Sequence, residues 1–99
     1  MLESLRLETF EPCRDQVFQL HWAGGEPLGL VLAEVKALAK PGEGWDRQPF
    51  ALTFRHPGER RHLPQGIFKL THEQLGELEM FLVPVGPDAV GMQYEAVFT

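Results

Sequence analysis

Phe50-Ala51-Leu52-Thr53-Phe54-Arg55 is the stretch on which the fold turns. Phe50, Leu52 and Phe54 fall on alternate positions. In an extended chain they leave one face, while Ala51, Thr53 and Arg55 leave the other. That period predicts a half-buried strand with one wet face.

Outward from this stretch the same period recurs. Phe18, Leu20 and Trp22 alternate with Gln19 and His21, and Phe68 and Leu70 oppose Lys69 and Thr71. Met92, Tyr94, Ala96 and Phe98 oppose Gln93, Glu95 and Val97. Residues 78–85 begin by alternating and become continuously apolar, which predicts a central strand covered on both faces and ended or bent at Pro84. Residues 28–39 fit two patterns. Leu28, Leu32, Val35 and Leu38 make a helical stripe, but Leu28, Leu30 and Leu32 alternate equally well. We read a strand bulged near Glu34, with Val31, Ala33 and Val35 on its other face, and keep the helix as the alternative.

Gly24-Gly25, Pro41-Gly42, Pro57-Gly58 and Gly86-Pro87 punctuate these segments, as turns between short strands do. Six strands around one core give an all-β fold, a small antiparallel barrel or sandwich. Closure into a barrel removes the exposed edges that invite aggregation. Residues 3–10 predict one short helical turn ahead of Pro12, with Leu7 and Phe10 docked on the barrel. The whole chain, residues 1–99, reads as a single domain.

Composition narrows the function classes. Apolar residues are 43% of the 99, enough for one core with little room for a deep cleft besides. A net charge of −5 opposes binding to nucleic acid or to an anionic membrane surface, both of which favour a basic face. The single cysteine, Cys13, cannot form an internal disulfide, and the first residues lack a basic and apolar leader. No apolar run approaches the ~20 residues of a membrane-spanning helix. These features imply a cytoplasmic setting.

Motifs for chemistry are sparse. His21, His56, His62 and His72 have none of the close spacings that converge on a metal, so we expect no metal and no cofactor. No nucleophile signature surrounds Cys13, and neither a serine elbow nor a phosphate-binding loop is present, so no catalytic residue is assigned. Glu77 and Glu79 share strand parity and read as a solvated face. His72 shares parity with Phe68 and Leu70, which suits a structural role at a barrel rim.

Two stretches contradict their setting. Arg55-His56-Pro57-Gly58-Glu59-Arg60-Arg61-His62 gathers three arginines on an acidic chain, and Pro57-Gly58 predicts a turn that concentrates them at a hairpin tip. Its readings are a solvated loop or a contact with an anionic partner, for which arginine offers fork-shaped donors. Trp45 stands in a polar, Gly-rich loop where no periodic pattern demands an indole. It either caps an open barrel end or serves as an interface hot spot.

Several segments in order also resemble a bacterial family of uncharacterised small all-β domains. The matching landmarks are Phe10 and Phe18, residues 48–54 (Gln-Pro-Phe-Ala-Leu-Thr-Phe), residues 63–68 (Leu-Pro-Gln-Gly-Ile-Phe), Leu75-Gly76, residues 80–85, and the ending Tyr94-Glu95-Ala96-Val97-Phe98. The resemblance implies an all-β domain in the company of phage-tail-like proteins and supplies no activity or catalytic residues. The expectation is therefore a non-enzymatic interaction or accessory module, monomeric or a homodimer. It would meet an unidentified protein partner through Trp45, Arg55, Arg60 and Arg61. The alternative is a small-ligand-binding barrel with a pocket near Trp22, His72 or Tyr94. A cupin-like metal-dependent enzyme comes third.

Overall fold

The computed structural model of the chain describes residues 5–38 and 48–99. A short helix, α1 (Leu7–Phe10), runs into a 3₁₀ turn over Glu11–Cys13. Six strands follow: β1 (Val17–His21), β2 (Leu28–Ala37), β3 (Phe50–Pro57), β4 (Gly66–His72), β5 (Gly76–Pro87) and β6 (Gly91–Phe98). They close into a barrel in the order β1-β2-β3-β6-β5-β4, with every neighbouring pair antiparallel. The expected all-β barrel with its N-terminal helical turn is what the chain forms. Among the described residues no helix is long and apolar enough to cross a membrane.

Alternation sets the interior. Phe18, Leu20, Leu30, Leu32, Phe50, Leu52, Phe54, Leu70 and Leu82 are fully buried, and Tyr94 and Ala96 very nearly so. Residues 28–37 are strand and not helix, bulged between Leu32 and Glu34. The extra residue resets the parity, so Val35 turns inward and Glu34 outward. Val35 therefore belongs to the core and not, as expected, to the outer face. The reading of a doubly covered strand over residues 78–85 needs a second correction. Met80 and Leu82 face the core, but Phe81 and Val85 are each 49% exposed, so one face meets solvent. Of the two expectations for Pro84 the bend holds and the end does not: β5 bulges between Pro84 and Gly86 and pairs on to Pro87.

One end of the barrel is plugged. Phe10, at the end of α1, is fully buried, with ring centroids 6.4 Å from Phe18, 5.9 Å from Phe50 and 5.8 Å from Phe98. Phe50 and Phe98 stack at 4.7 Å. Burying one such ring contributes about 1.5–3 kcal/mol before packing terms. Asp15, in the left-handed region at φ 68°, then turns the chain into β1, its N–H donating to Leu32 O at 2.8 Å.

At the other end β3 and β4 do not pair, so residues 55–62 form no hairpin tip. β3 and β4 stand on opposite sides of the barrel. Residues 58–65 therefore cross the barrel mouth to join them. The β1–β2 and β5–β6 turns meet the crossing segment at this same end.

Candidate binding site at the crossover end

The crossing segment is pinned at its start. Gly58 N–H donates to Val90 O at 2.8 Å, and Met92 N–H to Glu59 O at 2.6 Å. Gly91 is required here, because a Cβ on it would collide with the backbone carbonyl of His56. Further along, Leu63 N–H donates to the phenol oxygen of Tyr94 at 3.0 Å, and Leu63 packs on the core.

Between this segment and the β1–β2 turn lies an open cavity of about 280 Å³, lined by Trp22, Leu28, His56, Glu59, Arg61, His62, Leu63 and Tyr94. Trp22 lies just beyond β1 and folds back over Gly24, its indole N–H donating to Glu26 O at 2.8 Å. Leu28 and Leu63 complete the apolar wall.

The cavity's polar groups are unevenly occupied. Glu59 accepts from Arg61 three times: from the backbone N–H at 2.9 Å, from Nε at 2.8 Å and from Nη2 at 3.0 Å. Those bonds, the side-chain ones foremost, hold its carboxyl down at about 2. The only carboxylate on the wall among the described residues is thus already engaged. Tyr94 is 1% exposed and accepts from Leu63, but its own O–H donates to no group among the described residues. The half-buried His56 ring likewise has no hydrogen bond among the described residues. Since no buried side-chain polar atom among the described residues is left unpaired, both of its nitrogens reach solvent-accessible space. His62 donates from Nδ1 to Leu63 O at 3.0 Å, which leaves its Nε2 open.

The residues singled out from sequence divide between places. Trp22 and Tyr94 share the cavity. His72 does not: it lies at the plugged end, and the three-residue pocket is corrected to that extent. Its ring stacks on Phe18 at 4.5 Å, Nε2–H donates to Gln16 Oε1 at 2.7 Å, and Nδ1 accepts from Gln74 and Leu75 N–H at 3.1 and 3.2 Å. This pattern fixes a neutral ring that holds the β4–β5 turn.

The arginines are not a free cluster either. Arg55 grips Asp88 in the β5–β6 turn through Nε at 3.0 Å and Nη2 at 2.6 Å. Arg61 is bound to Glu59. Arg60 is exposed at the rim and has no side-chain ion pair among the described residues. Trp45 lies outside the described residues.

Parity alone points to His56, since it continues the inward series of Phe50, Leu52 and Phe54. Leu28, Glu59 and Leu63 needed the crossing segment to bring them together. Cys13 is buried, its thiol is directed at Thr9 O at 3.8 Å, and burial pushes it up, away from the thiolate a nucleophile needs. Among the described residues no three His, Cys, Asp or Glu side chains gather into a group able to hold a metal ion.

A family model described as a domain of unknown function, DUF6916, matches residues 5–98. No curated protein and no solved structure matches the chain.

Proposed function

This chain belongs to the DUF6916 family, and from that premise we propose that it is a non-enzymatic protein-interaction module that seats one anchoring group of its partner in the crossover-end cavity. The observation that carries this reading is the contrast between the two ends of the barrel. The interior is filled and the far end is plugged by Phe10. The crossover end keeps an open hollow with an aromatic and aliphatic wall. At about 280 Å³ the cavity lies just under the ~300–1,000 Å³ of small-molecule sites. That size suits one side chain or a comparably small group. Hot spots in protein interfaces are built this way, as a desolvated pocket ringed by weaker polar contacts. Arg60 and the Glu59–Arg61 pair stand beside the cavity as such a rim.

A component of a phage-tail-like assembly, the company implied by the family resemblance, is the first partner class to try. The test is a quantitative binding assay between such a component and three forms of the domain: the parent, Leu63→Asp at the cavity wall, and Glu73→Ala near the plugged end. Binding that survives Glu73→Ala and falls at least tenfold with Leu63→Asp, both variants remaining folded, supports the reading. Equal binding by all three refutes it.

A further inference from the structure

We infer that the group this cavity accepts is an apolar body carrying a carboxylate, such as the C-terminal residue of a polypeptide; the inference rests on the crossover-end cavity being the binding site. Trp22, Leu28 and Leu63 supply a wall for an aliphatic or aromatic moiety. The polar requirement follows from which hydrogen-bonding groups remain unengaged. Among the described residues Glu59 is the one acidic group on the wall, and Arg61 donates to both of its oxygens. Three of the carboxylate's roughly four lone-pair sites are taken, two on Oε2 and one on Oε1, which leaves little acceptor capacity for a cationic ligand.

What remains is biased toward donors. The Tyr94 O–H has no acceptor among the described residues, and a phenol so deeply buried ordinarily finds one. His56 offers a ring N–H from a half-buried position, whereas His62, with Nδ1–H given to Leu63 O, turns only an acceptor nitrogen outward in its neutral form. Arg60 adds an exposed cation beside the cavity. A ligand matched to this set brings two or more acceptor oxygens and, by preference, negative charge, since hydrogen bonds to an ionised acceptor are about twice as strong as neutral ones. A carboxylate on an apolar stem meets both demands. An amine or a guanidinium would leave the Tyr94 proton without an acceptor.

The test uses the full chain, ¹⁵N-labelled, titrated with N-acetyl-L-phenylalanine and separately with its uncharged analogue N-acetyl-L-phenylalaninamide. The acid is expected to shift the backbone amides of Leu28, Leu63 and Tyr94, with a dissociation constant of about 1 mM for a probe of this size. The amide should bind at least about fivefold more weakly, and Tyr94→Phe with His56→Leu should erase that preference while the spectrum stays that of a folded barrel. Comparable shifts by acid and amide at these positions would leave the cavity as a binding site and refute the carboxylate. No shift at these amides by either probe up to about 20 mM, some twentyfold above that constant, would refute both. Shifts confined to the plugged end would do the same.

Discussion

Tyr94, an inward residue of β6, holds the crossing segment over the barrel mouth by accepting the backbone N–H of Leu63 at 3.0 Å. A core side chain thus shapes the roof of the cavity, and the hydroxyl that does so is the one whose proton has no partner among the described residues. Stability of the mouth and chemistry of the mouth are coupled through one phenol.

Removing that oxygen separates the two roles. In Tyr94→Phe the ring still fills the core, but the partly buried Leu63 N–H loses its acceptor. An unpaired buried donor costs about 1–3 kcal/mol, and each kcal/mol lowers the melting temperature of a domain this size by about 4–8 °C. Native-state hydrogen exchange should show Leu63 losing protection while Leu52, in the middle of β3, keeps its own apart from the global change. Equal loss at both would mean that the bond does not hold the crossing segment locally.

The Phe10 plug gives a sharper test of the other end. Phe10→Ala removes a fully buried ring that touches Phe18, Phe50 and Phe98. Such truncations cost about 3–5 kcal/mol, out of the ~5–15 kcal/mol that holds an ordinary domain. The variant should be barely folded at 37 °C by circular dichroism. A melt within a few degrees of the parent would show that α1 lies on the barrel and does not fill it.

Acid sensitivity should run through Asp88. Its carboxyl is held down at about 2, chiefly by the Arg55 side chain and then by the N–H groups of Gly91 and Val90. A carboxyl depressed in the folded state contributes stability that is complete above its unfolded pKa of about 3.9. The contribution is lost as pH falls through the folded value. Denaturant midpoints should therefore decline between roughly pH 4 and pH 2. Asp88→Asn keeps an acceptor for the turn but not the ionised partner of Arg55, so its decline should be shallower. Glu59, also held near 2, accounts for part of the remaining slope, and adding Glu59→Gln should flatten it further.

How much of this was legible in the sequence follows from the range over which each signal acts. Strand parity is local, so Phe50, Leu52, Phe54, Tyr94 and Phe98 declare their inward face directly, and so does the bulge near Glu34. The exposed face of Phe81 is not local. An apolar residue reads alike whether a second layer covers it or solvent does, and only the closed barrel decides. The same limit governs the site. Pro57-Gly58 announces a turn, but whether the chain doubles back or crosses the mouth depends on β4 pairing with β1 and β5 in place of β3. That choice laid residues 58–65 over the mouth and so put His56 and Trp22 on one cavity. Arg55 meets Asp88 through the β3–β6 pairing and the β5–β6 turn, and His72 closes β4 at the far end in either case. The charge pattern of residues 55–62 suggested a free basic tip because Glu59 and Asp88 become partners only once the turns are folded.

The Trp22 wall of the cavity depends on a residue with no side chain. The indole lies so close over Gly24 that a Cβ there would overlap the ring carbons. Gly24 does not have the positive φ that Gly58, Gly76 and Gly86 adopt, so alanine fits its backbone and only the ring must move. Trp22 is 36% exposed, and its displacement uncovers little of the core. Surface changes of this kind usually stay within about 0.5 kcal/mol, and the reduced freedom of the unfolded chain offsets part of any loss. Gly24→Ala should therefore melt close to the parent. Its effect should appear at the mouth: the Trp22 Nε1–H resonance, assigned by its disappearance in Trp22→Phe, should shift as the bond to Glu26 O is strained. Affinity for N-acetyl-L-phenylalanine should fall about three- to tenfold, the range that loss of one apolar contact of ~1 kcal/mol produces. A variant that binds as the parent does, with the Trp22 resonance displaced, would remove the indole from the binding surface and leave Leu28 and Leu63 as its apolar wall.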